Sequence, residues 1–119
     1  MAANLNSTIL SQVIDQAIKE ARDHPRWLHA IERAVAELVG NPWIERQDDH
    51  LLIASPSGEL YSANGVCQCE AYARNIPCWH RAAARLVRRH DEALAQQTDR
   101  ATRLIAAQRV TELLNECFA

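Results

Sequence analysis

The sequence predicts an α+β fold: an N-terminal helical hairpin, a small antiparallel β-sheet leading into a ββα unit, and C-terminal helices. Three observations point there. Apolar residues recur every three to four positions up to residue 40, alternate in short runs between 43 and 63, and return to helical spacing after residue 78. The chain has 119 residues, of which 48 % are apolar and 24 % charged, enough for one modest core. We therefore read residues 1–119 as a single domain with three parts: a hairpin over 1–41, a β-rich segment over 43–90 and a helical segment over 91–119.

Ile9, Leu10, Val13, Ile14, Ala17, Ile18 and Ala21 form one face of a first helix, with Asn6 or Ser7 as its cap. His24-Pro25 ends it, because proline disfavours helical geometry in the residue before it. A second helix follows, with Asp23 as the expected cap and Pro25 in its first turn. Its apolar face is Trp27 or Leu28, Ile31, Ala34, Val35 and Leu38, and Gly40-Asn41-Pro42 stops it. "WIERQ", "HLLIAS" and "ELYSA" then read as strands. Asp48-Asp49, Pro56-Ser57-Gly58 and Asn64-Gly65 supply the turns. A helix is expected from about Cys78 to about Gln96. Either a new helix starts at Thr98 or Asp99, or the first runs on unbroken, with Leu104, Ile105, Val110, Leu113, Leu114 and Phe118 as the apolar content.

Between Cys67 and His80 the chain reads "CQCEAYARNIPCWH", which is C-x-C-x8-C-x-H. Clustered cysteines in a chain without a secretory leader suit a metal in a reducing, cytoplasmic setting. Zinc takes four such ligands in a tetrahedron. Cys67 and Cys69, two apart at the end of the third strand, are expected to share a strand face. Cys78 and His80 diverge by about 200° on a regular helix, so they are expected on the turn that leads into it, where Pro77 fits. Four protein ligands fill the shell and leave no open position, so one structural Zn2+ and no catalytic residues are expected. A deaminase pattern would need H-x-E followed by P-C-x-x-C. Here Arg81 stands where the last cysteine would fall, and the one H-x-E triplet, at His90, follows the cluster. Cys117 reads as a free thiol.

The spacing, the hairpin before it and the helix that begins at the C-x-H pair resemble a SWIM zinc finger. The residues that carry the likeness are "LLIASPSGELYSANGVCQCEAYARNIPCWHRAAARLV", about a third of the chain, with Tyr72 inside the gap and "RAAARLV" after the histidine. The resemblance implies a ββα arrangement around zinc held by Cys67, Cys69, Cys78 and His80. It also implies a role in DNA or protein interaction, as in transposition, recombination or chromatin-type processes. No G-x-x-x-x-G-K-[ST] is present, so a P-loop NTPase is excluded.

The formal net charge of −2 argues against nucleic-acid binding, yet its distribution does not. Residues 1–66 carry a net −4 and residues 91–119 a net −2. Residues 67–90 carry +4, from Arg74, Arg81, Arg85, Arg88 and Arg89 against Glu70. On a helical projection, Arg81, Arg85, Arg88 and Arg89 fall within about 100° of one another, opposite Trp79, Ala82, Ala83, Leu86, Val87 and His90. One reading makes this a solvated face, with Arg88 pairing to Asp91 or Glu92 and acids of the N-terminal half neutralising others. The other makes the five arginines phosphate contacts on DNA. The alternative function is an adaptor or homodimer that uses the terminal helices, with zinc only bracing the fold. Neither reading needs a membrane or a small-molecule substrate. Trp27 and Trp43 are expected in helix–sheet packing, Tyr61 and Tyr72 over the zinc ligands. Neither His50 nor His90 is expected to bind metal.

Overall fold

The computed structural model describes residues 5–47, 50–54, 58–64, 67 and 69–118. Two helices come first, α1 (Ser7–Glu20) and α2 (Pro25–Gly40). Three strands follow: β1 (Ile44–Gln47), β2 (His50–Ala54) and β3 (Leu60–Ala63). A one-turn helix α3 (Glu70–Ala73) and a 40-residue helix α4 (Trp79–Phe118) complete the chain. The α+β class and its order of elements are those read from the sequence. The turn expected at Asp48-Asp49, together with Pro56 and Gly65, lies outside the described residues.

α1 starts where Asn6 Oδ1 accepts the Ile9 N–H at 3.1 Å, which satisfies one of the open donors of the first turn. α2 differs from expectation. Its cap position is His24, not Asp23, and no side chain caps it. Proline at the first helical position removes one of the donors a cap would serve. α2 ends at Gly40, where Asn41 donates its backbone N–H to the Glu37 carbonyl and Nδ2 to the Glu37 carboxylate at 3.0 Å. Asn41 Oδ1 accepts the Trp43 N–H at 2.8 Å, a turn that aims the chain into β1.

The strands pair in the order β1-β2-β3, all antiparallel, with Ile44 opposite Ile53 and Leu51 opposite Ala63. Between β2 and β3, Gly58 adopts φ +88°, a conformation that a Cβ would disfavour. Alternation along β2 buries Leu51 and Ile53 on one face. That face meets Ala83, Leu86 and Val87 of α4, while Ile9, Val13 and Ala17 of α1 and Ile31, Ala34 and Leu38 of α2 close the same core. Small residues at Ala34 and Ala83, both fully buried, let the helices approach closely.

α4 is continuous, so the two C-terminal helices allowed by the sequence are one. Thr98, a candidate cap, instead donates its hydroxyl back to the Leu94 carbonyl at 3.0 Å, a bond that belongs to a helix interior. Forty residues span about 60 Å, and the longest extent of the molecule is 69 Å. Only the first part of α4 packs on the body. Leu104, Ile105, Val110, Leu113 and Leu114 are each more than half exposed. No described helix is long and apolar enough to cross a membrane.

Trp43 corrects a second expectation. It is 71 % exposed and not packed between helix and sheet. The Asn41 turn places it on the rim of an open groove of about 770 Å3, with Arg33, Glu37, Tyr61, Trp79 and His80 among the other walls.

Candidate metal centre

Four side chains converge between β3 and the start of α4. The donor atoms of Cys67, Cys69, Cys78 and His80 all lie within 4.8 Å of one another. A tetrahedron of zinc–sulfur bonds has edges of roughly 3.8 Å, so the cluster needs only a slight contraction to close on one ion. The three cysteines are buried and free of disulfides. His80 Nδ1 is buried and has no hydrogen-bond partner among the described residues. A buried nitrogen left that way is costly unless something else takes its lone pair.

The backbone sets these positions differently from the sequence expectation. Cys67 and Cys69 do not lie on a strand, because β3 ends at Ala63 and Cys69 directly precedes α3. Cys69 caps that helix. Its carbonyl accepts the Ala73 N–H at 3.2 Å, and its sulfur receives backbone N–H groups of Tyr72 and Ala71. Cys78 repeats the device at α4, where its carbonyl accepts the Ala82 N–H at 3.2 Å and its sulfur faces the Arg81 N–H. Each thiol does what a serine or aspartate does at a helix cap, reaching an N–H three residues on. Both sulfurs also sit at the positive end of a helix dipole, although α3 is too short for a large effect. Cys78 sits just ahead of α4, as expected, but His80 does not: it is the second residue of the helix itself, and the two side chains meet because only His80 is helical.

α3 is not among the elements that the sequence pattern predicts. Its far end closes with the Ile76 N–H on the Ala71 carbonyl (2.8 Å) and the Asn75 N–H on the Tyr72 carbonyl (2.9 Å). Asn75 sits at φ 61°. This is a Schellman stop with asparagine in the left-handed position. It turns the chain so that Pro77 and Cys78 return to the cluster.

The donors differ in charge state. Burial pushes the Cys67 thiol up to about 12, and the neighbouring thiols add to it. Burial also raises Cys78. At Cys69 burial is outweighed by the N–H groups of Tyr72 and Ala71 and by the neighbouring thiols, so its thiol falls below the usual value. Burial, then the charge of Arg33, lowers His80 despite the opposing Glu37, which keeps a ring nitrogen neutral for coordination. The His80 ring packs against Trp79 (centroids 4.3 Å) and Tyr61 (4.9 Å), which fixes its plane. The donor set thus fits a single metal ion in a closed shell.

The arginines are placed less uniformly than the projection suggests. Arg81 lies over two rings, 5.2 Å from the Trp27 centroid and 5.0 Å from that of Tyr72. Arg89 forms a two-pronged pair with Glu20 of α1 at 2.9 and 3.2 Å. That pair first, then the Gln16 amide and least of all the charge of Arg85, holds the Glu20 carboxyl below its usual value against the opposing effect of burial. Arg85 and Arg88 are exposed, and Arg74 is exposed just past α3. Arg88 does not pair with Asp91, which is taken by Arg46 and His90. No protein family, curated protein or solved structure matches the chain.

Proposed function

We propose that the chain is a non-catalytic zinc module of SWIM type that binds nucleic acid, with DNA the first expectation, directly or within a DNA-associated complex. One observation carries this reading: the Cys3His cluster caps the helix whose first three turns bear Arg81, Arg85, Arg88 and Arg89. Zinc supplies a rigid crosslink there and no reaction chemistry, since four protein donors leave no position for a substrate. Free thiols in such a cluster suit the reducing cytoplasm. Arg85 and Arg88 alone would give a salt slope of about −1.8, and all five arginines about −4.5. Changing Arg85→Glu and Arg88→Glu together is expected to lower DNA affinity about 10- to 100-fold and leave zinc content unchanged. Anisotropy titrations over a range of salt, on zinc-loaded protein, check both numbers.

The exposed half of α4 favours a second reading, an adaptor or homodimer. A helix with large apolar side chains on several faces and no cover normally has a partner. That reading expects the protein to sediment as a dimer that Leu104→Glu with Leu114→Glu converts to monomer. A monomer that binds neither DNA nor RNA would leave a different protein as the partner of α4.

A further inference from the structure

Arg81 stands between an indole and a phenol, and both belong to the surface that carries the other arginines. Tyr72 is exposed on α3. Trp27, half-buried on α2, borders a cavity of about 170 Å3 that it shares with His24, Arg85 and Arg89. Aromatic faces and guanidinium groups therefore alternate along one side: Tyr72, Arg81, Trp27, Arg85. A duplex keeps its base faces stacked inside and offers a protein surface only edges and phosphates, so an exposed ring beside a cationic stripe has nothing to stack on there. Unpaired bases do offer their faces. Single-strand binding sites combine such rings with a positive track for the backbone.

We propose that this face selects single-stranded nucleic acid, with Tyr72 as a stacking platform held in place by Arg81 and with Arg85 and Arg88 along the phosphates. The inference rests on the nucleic-acid reading above and narrows its ligand class. α3 gives the platform its fixed position. The Cys69 cap and the Asn75 stop define its two ends, so the ring is anchored to the metal centre and does not ride on a loose loop.

The test uses the full zinc-loaded chain with oligo-dT and oligo-rU of about 16 nucleotides and a DNA duplex of equal length, at matched ionic strength. Both single strands are expected to bind at least tenfold tighter than the duplex. Tyr72→Leu keeps the apolar bulk and removes the π-face. It should lower single-strand affinity about tenfold while leaving the salt slope and the duplex affinity unchanged. Tyr72→Phe should bind like the unmutated protein. Tighter binding to oligo-dT or to oligo-rU decides between DNA and RNA, and either supports the inference. Equal affinity for duplex and single strands in the unmutated chain, or a Tyr72→Leu chain that binds single strands normally, overturns the inference and leaves the nucleic-acid reading standing. No salt-dependent binding to any of the three probes overturns both.

Discussion

Stripping the metal is expected to cost this protein most of its stability. A structural zinc site supplies on the order of 10 kcal/mol in small fingers, and a domain of this size has about 5–15 kcal/mol in total. The dependence follows from what the cluster holds. α3 is a single turn, far below the length at which a helix persists alone. Among the described residues between Ala63 and Trp79 only the three cysteines are buried, with Ala71 packed partly against them. Without an ion, three buried thiols and the His80 nitrogen face one another with little to gain. Elemental analysis should find one zinc per chain. A chelator should abolish the cooperative thermal transition or shift it strongly downward, and zinc should restore it. Cys67→Ser and Cys78→Ser should behave like chelated protein, whereas Cys117→Ser, on the exposed end of α4, should melt normally. A metal-free chain that melts at the same temperature would falsify the structural role. Uptake should also release protons and weaken in acid, because burial holds Cys67 and Cys78 as thiols and each must enter as thiolate.

The cluster was legible because its chemistry is written in residue type and spacing, and few other patterns place three cysteines and a histidine so close. The helices and strands were legible because their periods differ, 3.6 against 2, over long enough runs. What escaped has physical causes. A two-residue spacing fits a strand face and a helix cap equally well, and cysteine is not among the usual capping residues, so the pattern does not show that Cys69 precedes a helix. α3 is too short to show a period, although Asn75-Ile76-Pro77 carries its stop. Apolar character predicts burial for Trp43 because exposing an indole is costly, but the local turn at Asn41 overrides it. Thr98-Asp99 looked like a cap, but a threonine can return its hydroxyl to its own helix. Glu20 and Arg89 lie 69 residues apart, and nothing in the sequence pairs them.

The largest effect expected away from the metal is at His90, which the sequence places on the apolar face of the helix and outside the metal site. It is fully buried. Its Nε2 accepts the Asn6 N–H at 2.9 Å, and its Nδ1 lies 2.9 Å from Asp91 Oδ1. Acceptance at Nε2 puts the ring proton on Nδ1, where Asp91 receives it. Asp91 in turn takes Arg46 of β1. One imidazole thereby ties the residue that caps α1 to the packed first third of α4, and through Asp91 to the sheet. His90→Ala removes two hydrogen bonds and leaves a void, a loss of about 2–4 kcal/mol. His90→Leu restores volume without the bonds and should cost less. Urea denaturation measures both, and hydrogen exchange should show α1 losing protection first. A His90→Ala chain within about 0.5 kcal/mol of the unmutated protein would mean that the tie carries no stability. Asp91→Asn should cost about 1 kcal/mol or less, since its side chain and that of Arg46 are each about a third exposed to water. Burial raises the Asp91 carboxyl, but the bonds from Arg46 and His90 outweigh it and leave its value depressed. A depressed carboxyl contributes above the ordinary carboxylate range, and that contribution fades as the pH falls through its folded value. The unmutated protein should therefore lose a small increment of stability in acid that Asp91→Asn no longer loses, a difference read from paired denaturation curves.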